Sequence, residues 1–100
     1  MAQREIIWSV KAKKVFQAIL EFYTIRNGSN IFSNKLLDNI EKNIELINVN
    51  PYLGLKTTIS ENIRYLIFSN YKIIYKFSDT SIHILMVWDC RQNPDKLIIK

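Results

Sequence analysis

The sequence has little cysteine, histidine, glycine or proline, and each shortage excludes a class of structure or site. Cys90 is the only cysteine, so neither an internal disulfide nor a thiolate metal cluster can form. His83 is the only histidine, which excludes histidine-based catalytic triads and metal sites that need several histidines. With two glycines and 48% hydrophobic residues, the 100-residue chain is typical of a compact globular protein. No metal and no cofactor is implied.

Long apolar segments and acidic residues are also scarce. No run approaches the roughly 18 apolar residues that span a bilayer, and the N-terminus lacks the basic-then-apolar pattern of a signal peptide. We therefore expect one domain, residues 1–100, in the cytoplasm, with no membrane partner. Lysine and arginine outnumber the acidic residues 14 to 9. The resulting net charge of +5 suits an acidic partner, either nucleic acid or an acidic protein segment.

Three runs rich in β-branched and aromatic residues fill the C-terminal half. Such residues fit the half-buried surface of a pleated sheet. Polar segments of two and three residues separate the runs, which are lengths that join antiparallel strands, and Asn70 tolerates the positive φ of a tight turn. The sequence thus predicts a three-stranded antiparallel meander made of Ile63–Phe68, Tyr71–Phe77 and Ser81–Asp89.

Alternation within the first two of these strands predicts the two faces of the sheet, because residues two apart point to the same side. The face assigned to the core receives Ile63, Tyr65, Ile67, Tyr71, Ile73, Tyr75 and Phe77. The opposite face receives Arg64, Leu66, Phe68, Lys72, Ile74 and Lys76. A face that mixes basic and apolar side chains is unusual for a merely solvated surface and suggests that it binds a partner.

The N-terminal half predicts a short strand, residues 4–8, followed by two helices. Ser9 is suited to cap a helix that runs to about Arg26, and Gly28 is suited to end it. A second helix, residues 31–48, carries an apolar stripe at helical spacing. The apolar positions of the two helices are Ala12, Val15, Phe16, Ile19, Phe22 and Tyr23, then Phe32, Leu36, Ile40, Ile44 and Ile47.

The predicted architecture is α+β. A short N-terminal strand precedes an antiparallel helix hairpin and the meander, and both helices lie on one face of the sheet. Residues 55–59 are either irregular or a short edge strand. Three lysines in the first turns of helix one, Lys11, Lys13 and Lys14, form either a solvated face or a contact for an acidic partner.

This order of elements resembles the RelE/ParE superfamily of bacterial type II toxins, over nearly the whole chain. The first strand and its serine-capped helix read IIWSVKAKKVFQAILEFY, and the loop NPYLG is similar to the family's Pro-x-x-Gly segment. The meander IRYLIFSNYKIIYKF resembles the family's arginine-led strand, tight turn and following strand. The end of the last strand, VWDCRQNP, is similar to the ParE-like ending in which an arginine follows the strand.

The resemblance implies one of two mechanisms. RelE-like members are ribosome-dependent mRNA endonucleases, and Arg64, Lys72 and Arg91 match their basic positions. Those enzymes also place a tyrosine or histidine near the C-terminus, whereas this chain has no tyrosine after Tyr75 and no histidine after His83. ParE-like members poison DNA gyrase and lack that catalytic set, so the resemblance favours a ParE-like toxin.

The resemblance therefore implies a toxin that poisons DNA gyrase and forms a hetero-oligomer with a cognate antitoxin that neutralises it. Its expected partner-binding residues are Arg64, Leu66, Phe68, Lys72, Ile74, Lys76 and Arg91. The alternative is an mRNA endonuclease acting at the ribosome, with Arg64, Lys72 and Arg91 around the scissile phosphate. A third possibility is a domain that only binds its partner and has no activity of its own.

Overall fold

The computed structural model describes residues 4–91, and in it two helices cover one face of a five-stranded sheet. The helices are α1 (Val10–Asn27) and α2 (Ile31–Val49), followed by a 3-10 turn at Pro51–Leu53. The strands are β1 (Glu5–Trp8), β2 (Leu55–Lys56), β3 (Ile63–Phe68), β4 (Tyr71–Phe77) and β5 (Ser81–Asp89). The predicted α+β architecture is confirmed.

The strands lie in the order β1-β5-β4-β3-β2. The meander β3-β4-β5 is antiparallel throughout, as predicted. Two pairings add to it: β1 runs parallel to β5, with Glu5 opposite Ser81, and the two-residue β2 pairs with β3. Parallel pairing joins strands through a long crossover, so no local turn in the sequence indicates it.

The helix hairpin begins and ends at the predicted residues or within one of them. Ser9 is the N-cap of α1, and its Oγ accepts a hydrogen bond from the Ala12 backbone N at 3.0 Å. Gly28 ends the helix in the left-handed region at φ 68°, a conformation that glycine adopts without steric cost. Ser9 also fixes the start of α1 to the sheet, because its N donates to the Ile84 carbonyl oxygen at 3.0 Å.

The core fills the layer between the hairpin and the sheet. It contains the buried positions of both predicted helix stripes together with Tyr71, Ile73, Tyr75, Phe77, Ile82, Ile84 and Val87 from the sheet. Two stripe residues differ from the prediction: Phe22 is 49% exposed and Phe32 is 36% exposed. Both lie near the turn of the hairpin, each next in sequence to a buried residue, Tyr23 or Ser33.

The predicted assignment of β3 to the two faces of the sheet is wrong. Residues directly opposite each other in an antiparallel pair share a face. Arg64, Leu66 and Phe68 lie opposite Tyr75, Ile73 and Tyr71, so they face the helices. Ile63, Tyr65 and Ile67 lie opposite Lys76, Ile74 and Lys72, on the face away from the helices, called here the outer face. Alternation fixes which residues of one strand share a face, but only the pairing register relates that strand to its neighbour.

The outer face has a buried cluster of its own. Ile74, Met86 and Trp88 are buried there, and Ile63 and Tyr65 pack against them. A shift in register between Ile74 and Tyr75 leaves Leu85 without a direct partner on β4. The turn before β4 also differs in detail from the prediction, because the positive φ of 54° is at Ser69 rather than at Asn70.

Candidate functional site

Arg64, a predicted binding residue, is built into the loop that follows α2. Its Nη1 donates to the Gly54 carbonyl oxygen at 2.9 Å. Its guanidinium lies 5.1 Å from the Tyr52 ring centroid and 5.9 Å from that of Phe77. Its Nε is buried and has no hydrogen-bond partner among residues 4–91. The side chain therefore holds the loop against β3 and β4 and does not project as a free cation.

Tyr75 secures the same loop from the other side. Its hydroxyl donates to the Pro51 carbonyl oxygen at 2.5 Å and accepts from the Gly54 N at 2.9 Å. Burial raises the pKa of Tyr75, although the hydrogen bond from Gly54 and the positive charge of Arg64 act in the opposite direction. We call Pro51, Gly54, Arg64 and Tyr75 the loop clamp. The Pro-x-x-Gly spacing thus places two backbone groups on one buried hydroxyl.

Arg91 follows β5 and lies beside Tyr71, the first residue of β4, where a buried carboxylate holds its guanidinium. Asp89 is 0% exposed, and its Oδ1 accepts from Arg91 Nε at 3.0 Å while its Oδ2 accepts from Arg91 Nη2 at 3.1 Å. Tyr23 also donates to Oδ2, at 2.7 Å, and Arg91 Nη2 donates to the Tyr71 hydroxyl at 2.6 Å. These four residues, Tyr23, Tyr71, Asp89 and Arg91, are called here the Asp89 cluster.

Hydrogen bonds keep the Asp89 carboxylate charged although it is buried. Burial alone would raise its pKa, but the hydrogen bonds from Arg91 and Tyr23 outweigh burial and lower it. The hydrogen bond to Asp89 in turn raises the pKa of Arg91. The pKa of both tyrosines is raised, first by burial and then by the negative charge or hydrogen bond of Asp89. The cluster is therefore an ion pair with two neutral hydroxyls around it.

Sequence reasoning found Arg91 but missed the three residues that orient it. Tyr23 and Tyr71 occupy apolar periodic positions and were assigned to the core, which is also where the structure places their rings. Asp89 is the last residue of a hydrophobic strand, and the only signal in the sequence is its spacing of two from Arg91.

The three cations of the endonuclease alternative do not come together. Arg64 is opposite Tyr75, whereas Arg91 follows Asp89, which is opposite Tyr71. Four residues along β4 correspond to about 13 Å at the rise of an antiparallel strand. Lys72 lies on the outer face, with its Nζ 4.8 Å from the centroid of the Tyr65 ring. One phosphate group cannot contact all three side chains in this arrangement.

The predicted partner-binding residues also divide between two faces. Arg64, Leu66 and Phe68 face the helices, whereas Lys72, Ile74 and Lys76 occupy the outer face. Ile74 is only 1% exposed, and Leu66 and Phe68 pack against the main core. The three exposed or half-exposed cations that remain are Lys72 and Lys76 on one face and Arg91 at the end of β5.

An apolar groove that the sequence did not indicate lies between the two helices and β1. It has a volume of about 620 Å³, and its lining includes Trp8, Leu20 and Leu37. Lys13 stands on the α1 side, and two carboxylates, Glu41 and Glu45, stand on the α2 side. We call it the hairpin groove. β1 beside it is the terminal strand of the sheet, so one backbone edge of β1 is unpaired among the described strands. Three separate elements form the groove, and no single sequence pattern marks it.

Neither helix in residues 4–91 is long and apolar enough to cross a membrane. Within the same residues, no three His, Cys, Asp or Glu side chains are grouped so that they could hold a metal ion.

Comparison with known proteins identifies the family to which this fold and sequence pattern correspond. The sequence profile described as ParE toxin of type II toxin-antitoxin system, parDE, matches residues 6–94. A solved structure of a chromosomal ParDE TA system from P. aeruginosa is similar, with a TM-score of 0.68 and 17% sequence identity. The similarity covers 85% of this chain and 94% of that chain. No curated protein matches the sequence. The resemblance drawn from the sequence motifs is confirmed.

Proposed function

Because the chain belongs to the ParE toxin family of type II toxin–antitoxin systems, we propose that it arrests growth by poisoning DNA gyrase in the cytoplasm. We further propose that a cognate antitoxin binds and neutralises it in a hetero-oligomer. The family match over residues 6–94 supports the toxin assignment. The separation of Arg64, Lys72 and Arg91 supports poisoning rather than RNA cleavage.

The choice of mechanism follows from what phosphate-transfer chemistry needs. Cleavage of RNA through the ribose 2′-OH requires cations that converge on one phosphate and groups positioned to move protons. Here Arg64 is committed to the Gly54 carbonyl, and Lys72 points away from Arg91. A toxin that poisons gyrase acts by binding the enzyme on its DNA, so it needs a complementary binding surface and no converging cations. The separation of the three cations within residues 4–91 is compatible with that requirement.

We assign the antitoxin to the hairpin groove. An amphipathic helix places apolar residues three and four apart on one face, and a groove lined by Trp8, Leu20 and Leu37 accepts such a face. The charges on the rims specify its orientation, since an acidic side chain suits the rim at Lys13 and a basic one suits the rim at Glu41 and Glu45. Lys72 and Lys76 remain proposed contacts for acidic residues of the antitoxin beyond the groove.

The test of the activity uses purified gyrase, ATP and supercoiled plasmid, with and without the chain. We expect linear or cleaved plasmid to accumulate only when the chain is present, and the cognate antitoxin to prevent it. Message integrity is followed in parallel in cells that express the chain. Codon-positioned cuts in mRNA with undamaged DNA would establish the endonuclease instead. Normal growth with both polymers intact would leave a domain that only binds its partner.

The test of the groove uses two tryptophan substitutions on neighbouring exposed positions of α1. Gln17 lines the groove, whereas Ala18 does not. We expect Gln17→Trp to fill the groove and weaken antitoxin binding by at least about tenfold, because part of the apolar face is then excluded. Ala18→Trp is the control and should bind as the parent does. Equal affinities for the two variants, measured by calorimetry, would place the antitoxin elsewhere.

A further inference from the structure

A cavity of about 230 Å³ opens beside Arg91, between the first half of α2 and the β3–β4 turn. Its lining includes two cations, Lys35 and Arg91, two amides, Asn39 and Asn70, and two aromatic rings, Phe32 and Phe68. We propose that this cavity binds the phosphate group of a nucleotide, either free or within a nucleic-acid strand. It shares no lining residue with the hairpin groove, and the inference does not rest on the proposed function.

The guanidinium of Arg91 is held in one orientation by its neighbours, and its Nη1 group can still donate to a ligand. Asp89 and Tyr71 take the hydrogen bonds from Nε and Nη2, and the rings of Tyr23 and Tyr71 lie 5.0 and 5.4 Å from the guanidinium carbon. No hydrogen bond from Nη1 is recorded within residues 4–91, and the side chain is 43% exposed. A cation held in this way loses little conformational entropy when it binds an anion.

The walls of the cavity supply hydrogen-bond donors and two cations, of which Arg91 is paired with Asp89 and Lys35 is the second. The side-chain amides of Asn39 and Asn70 can each donate two hydrogen bonds. Within the described residues no Asp or Glu lines the cavity, and Asp89 lies behind Arg91, fully buried. The Asn70 backbone is anchored, because its carbonyl oxygen accepts from the Cys90 N at 2.6 Å.

The arrangement suits a phosphate better than a carboxylate. A carboxylate binds arginine most strongly through two parallel hydrogen bonds, but Asp89 occupies the Nε–Nη2 edge and Tyr71 also accepts from Nη2, so neither edge of the guanidinium can provide both bonds. The remaining donors belong to three different parts of the fold: Arg91 follows β5, Lys35 and Asn39 are on α2, and Asn70 is in the β3–β4 turn. A phosphate has at least two charged oxygens arranged around a tetrahedral centre, so it can accept from several directions at once.

The two aromatic walls indicate that the phosphate belongs to a nucleotide. Phe32 is 36% exposed and lines the cavity, and Phe68 lines the same cavity. An exposed ring beside a phosphate site offers a stacking surface for a base, which is sequence-tolerant because every base has a π-face.

The experiment titrates the isotopically labelled full chain at low salt and follows backbone amide signals by NMR. The probes are inorganic phosphate, adenosine monophosphate, a short single-stranded oligonucleotide and, as the anion control, acetate. We expect phosphate to shift the signals of Lys35, Asn39 and Asn70, and acetate at the same concentration to leave them in place. Tighter binding of the monophosphate would identify a free nucleotide as the source. Tighter binding of the oligonucleotide, with a steep dependence on salt, would identify a strand.

Matched substitutions on α2 separate the cavity from general electrostatic attraction. Lys35 lines the cavity and Lys42, also exposed on α2, does not. Lys35→Gln should weaken phosphate binding about fivefold, as expected for one lost charge-assisted hydrogen bond, whereas Lys42→Gln should leave the affinity unchanged. The proposal is overturned if both variants weaken binding equally, if acetate shifts the same signals as phosphate does, or if phosphate shifts none of them.

Discussion

The loop clamp and the Asp89 cluster each fix one arginine on the helix-facing side of the sheet, but the two arginines have different roles. Arg64 meets a backbone carbonyl, lies between two aromatic rings and has a buried Nε. Arg91 meets a buried carboxylate through Nε and Nη2, lines a cavity, and forms no hydrogen bond from Nη1 within residues 4–91. The first arrangement stabilises a loop, whereas the second presents a cation in a fixed orientation.

The comparison shows that neither the type of a residue nor the position of that residue in a family motif defines its role. Both arginines match basic positions of the resemblance, yet only Arg91 keeps hydrogen-bonding capacity towards a cavity. What separates them is the partner that fixes each one. The Gly54 carbonyl leaves the charge of Arg64 uncompensated and packed against two rings, whereas the Asp89 carboxylate compensates the charge of Arg91 and leaves Nη1 for a ligand.

The largest effect is expected at the loop clamp. A Cβ added to Gly54 would lie 2.4 Å from the Tyr75 hydroxyl oxygen and 2.9 Å from the Tyr65 carbonyl oxygen. Gly54→Ala should therefore lower the free energy of unfolding by about 3 kcal/mol, the upper part of the range for overpacking. Urea denaturation measures it. Gly28→Ala is the control, since nothing lies within 4 Å of its Cβ and only the positive φ is unfavourable, by about 1 kcal/mol.

A double-mutant cycle identifies the cause of that loss. Tyr75→Phe removes the hydroxyl oxygen that the new Cβ would contact, together with its two hydrogen bonds. The combined variant should be more stable than the sum of the two single losses predicts, by about 1 kcal/mol or more. Strict additivity would mean that the clashes that remain in Tyr75→Phe, with the Tyr65 carbonyl oxygen and with ring carbon Cε1 of residue 75, each at 2.9 Å, dominate.

The next largest effect is expected at the Asp89 cluster. Asp89→Asn keeps the shape of the side chain but removes the charge that Arg91 and Tyr23 satisfy. We expect a loss of about 2 kcal/mol, within the range for hydrogen bonds to charged groups and towards its lower part, because Arg91 is partly exposed to water. Phosphate affinity should fall as well, since Arg91 is no longer oriented. Unchanged stability in urea would contradict the role assigned to the buried carboxylate.

Asp89 should also make the stability of the protein depend on pH in the acidic range. The folded-state pKa of Asp89 is lowered, so its contribution is present above the unfolded-state pKa of about 3.9 and is lost as the pH falls from there through the folded-state value. Urea midpoints measured from pH 6 downwards should decline more steeply for the parent than for Asp89→Asn below about pH 4. Asp79→Asn, in the exposed turn before β5, controls for the loss of one negative charge.

The smallest effect is expected at Lys72 on the outer face. Its Nζ lies 4.8 Å from the centroid of the Tyr65 ring. Lys72→Met keeps the aliphatic stem and removes the charge, so the free energy of unfolding should change by less than about 1 kcal/mol. A larger loss, measured in the same denaturation series, would show that the outer face depends on this cation more than its contacts indicate.

Local signals in the sequence predicted the elements well. Ser9 and Gly28 have distinct chemistry at the ends of a helix, and the polar turns have lengths that only antiparallel neighbours use, so the hairpin and the meander were both predictable. The side of the sheet to which each β3 residue points was not predictable, because the pairing register depends on how a two-residue turn closes. A shift of one residue there exchanges Arg64 with Tyr65.

The candidate sites were less predictable, because each joins residues that are distant in the chain. Tyr23 donates to Asp89 across 66 residues, and Tyr75 meets Gly54 across 21. Buried tyrosines at core positions give the same pattern whether their hydroxyls have a specific partner or not. The resemblance to a toxin family pointed to Arg91, but it did not distinguish its fixed orientation from the enclosed position of Arg64.

The parallel pairing of β1 with β5 has a consequence for how the protein emerges from the ribosome. The hydroxyl of Ser9, at the junction of β1 and α1, donates to the Leu85 carbonyl oxygen, 76 positions later. The first strand therefore has no neighbour in the sheet until β5 has been synthesised, and closing so long a loop slows folding. A nascent chain that ends before β5 cannot pair β1 with the sheet, so the hairpin groove is complete only after β5 has been translated.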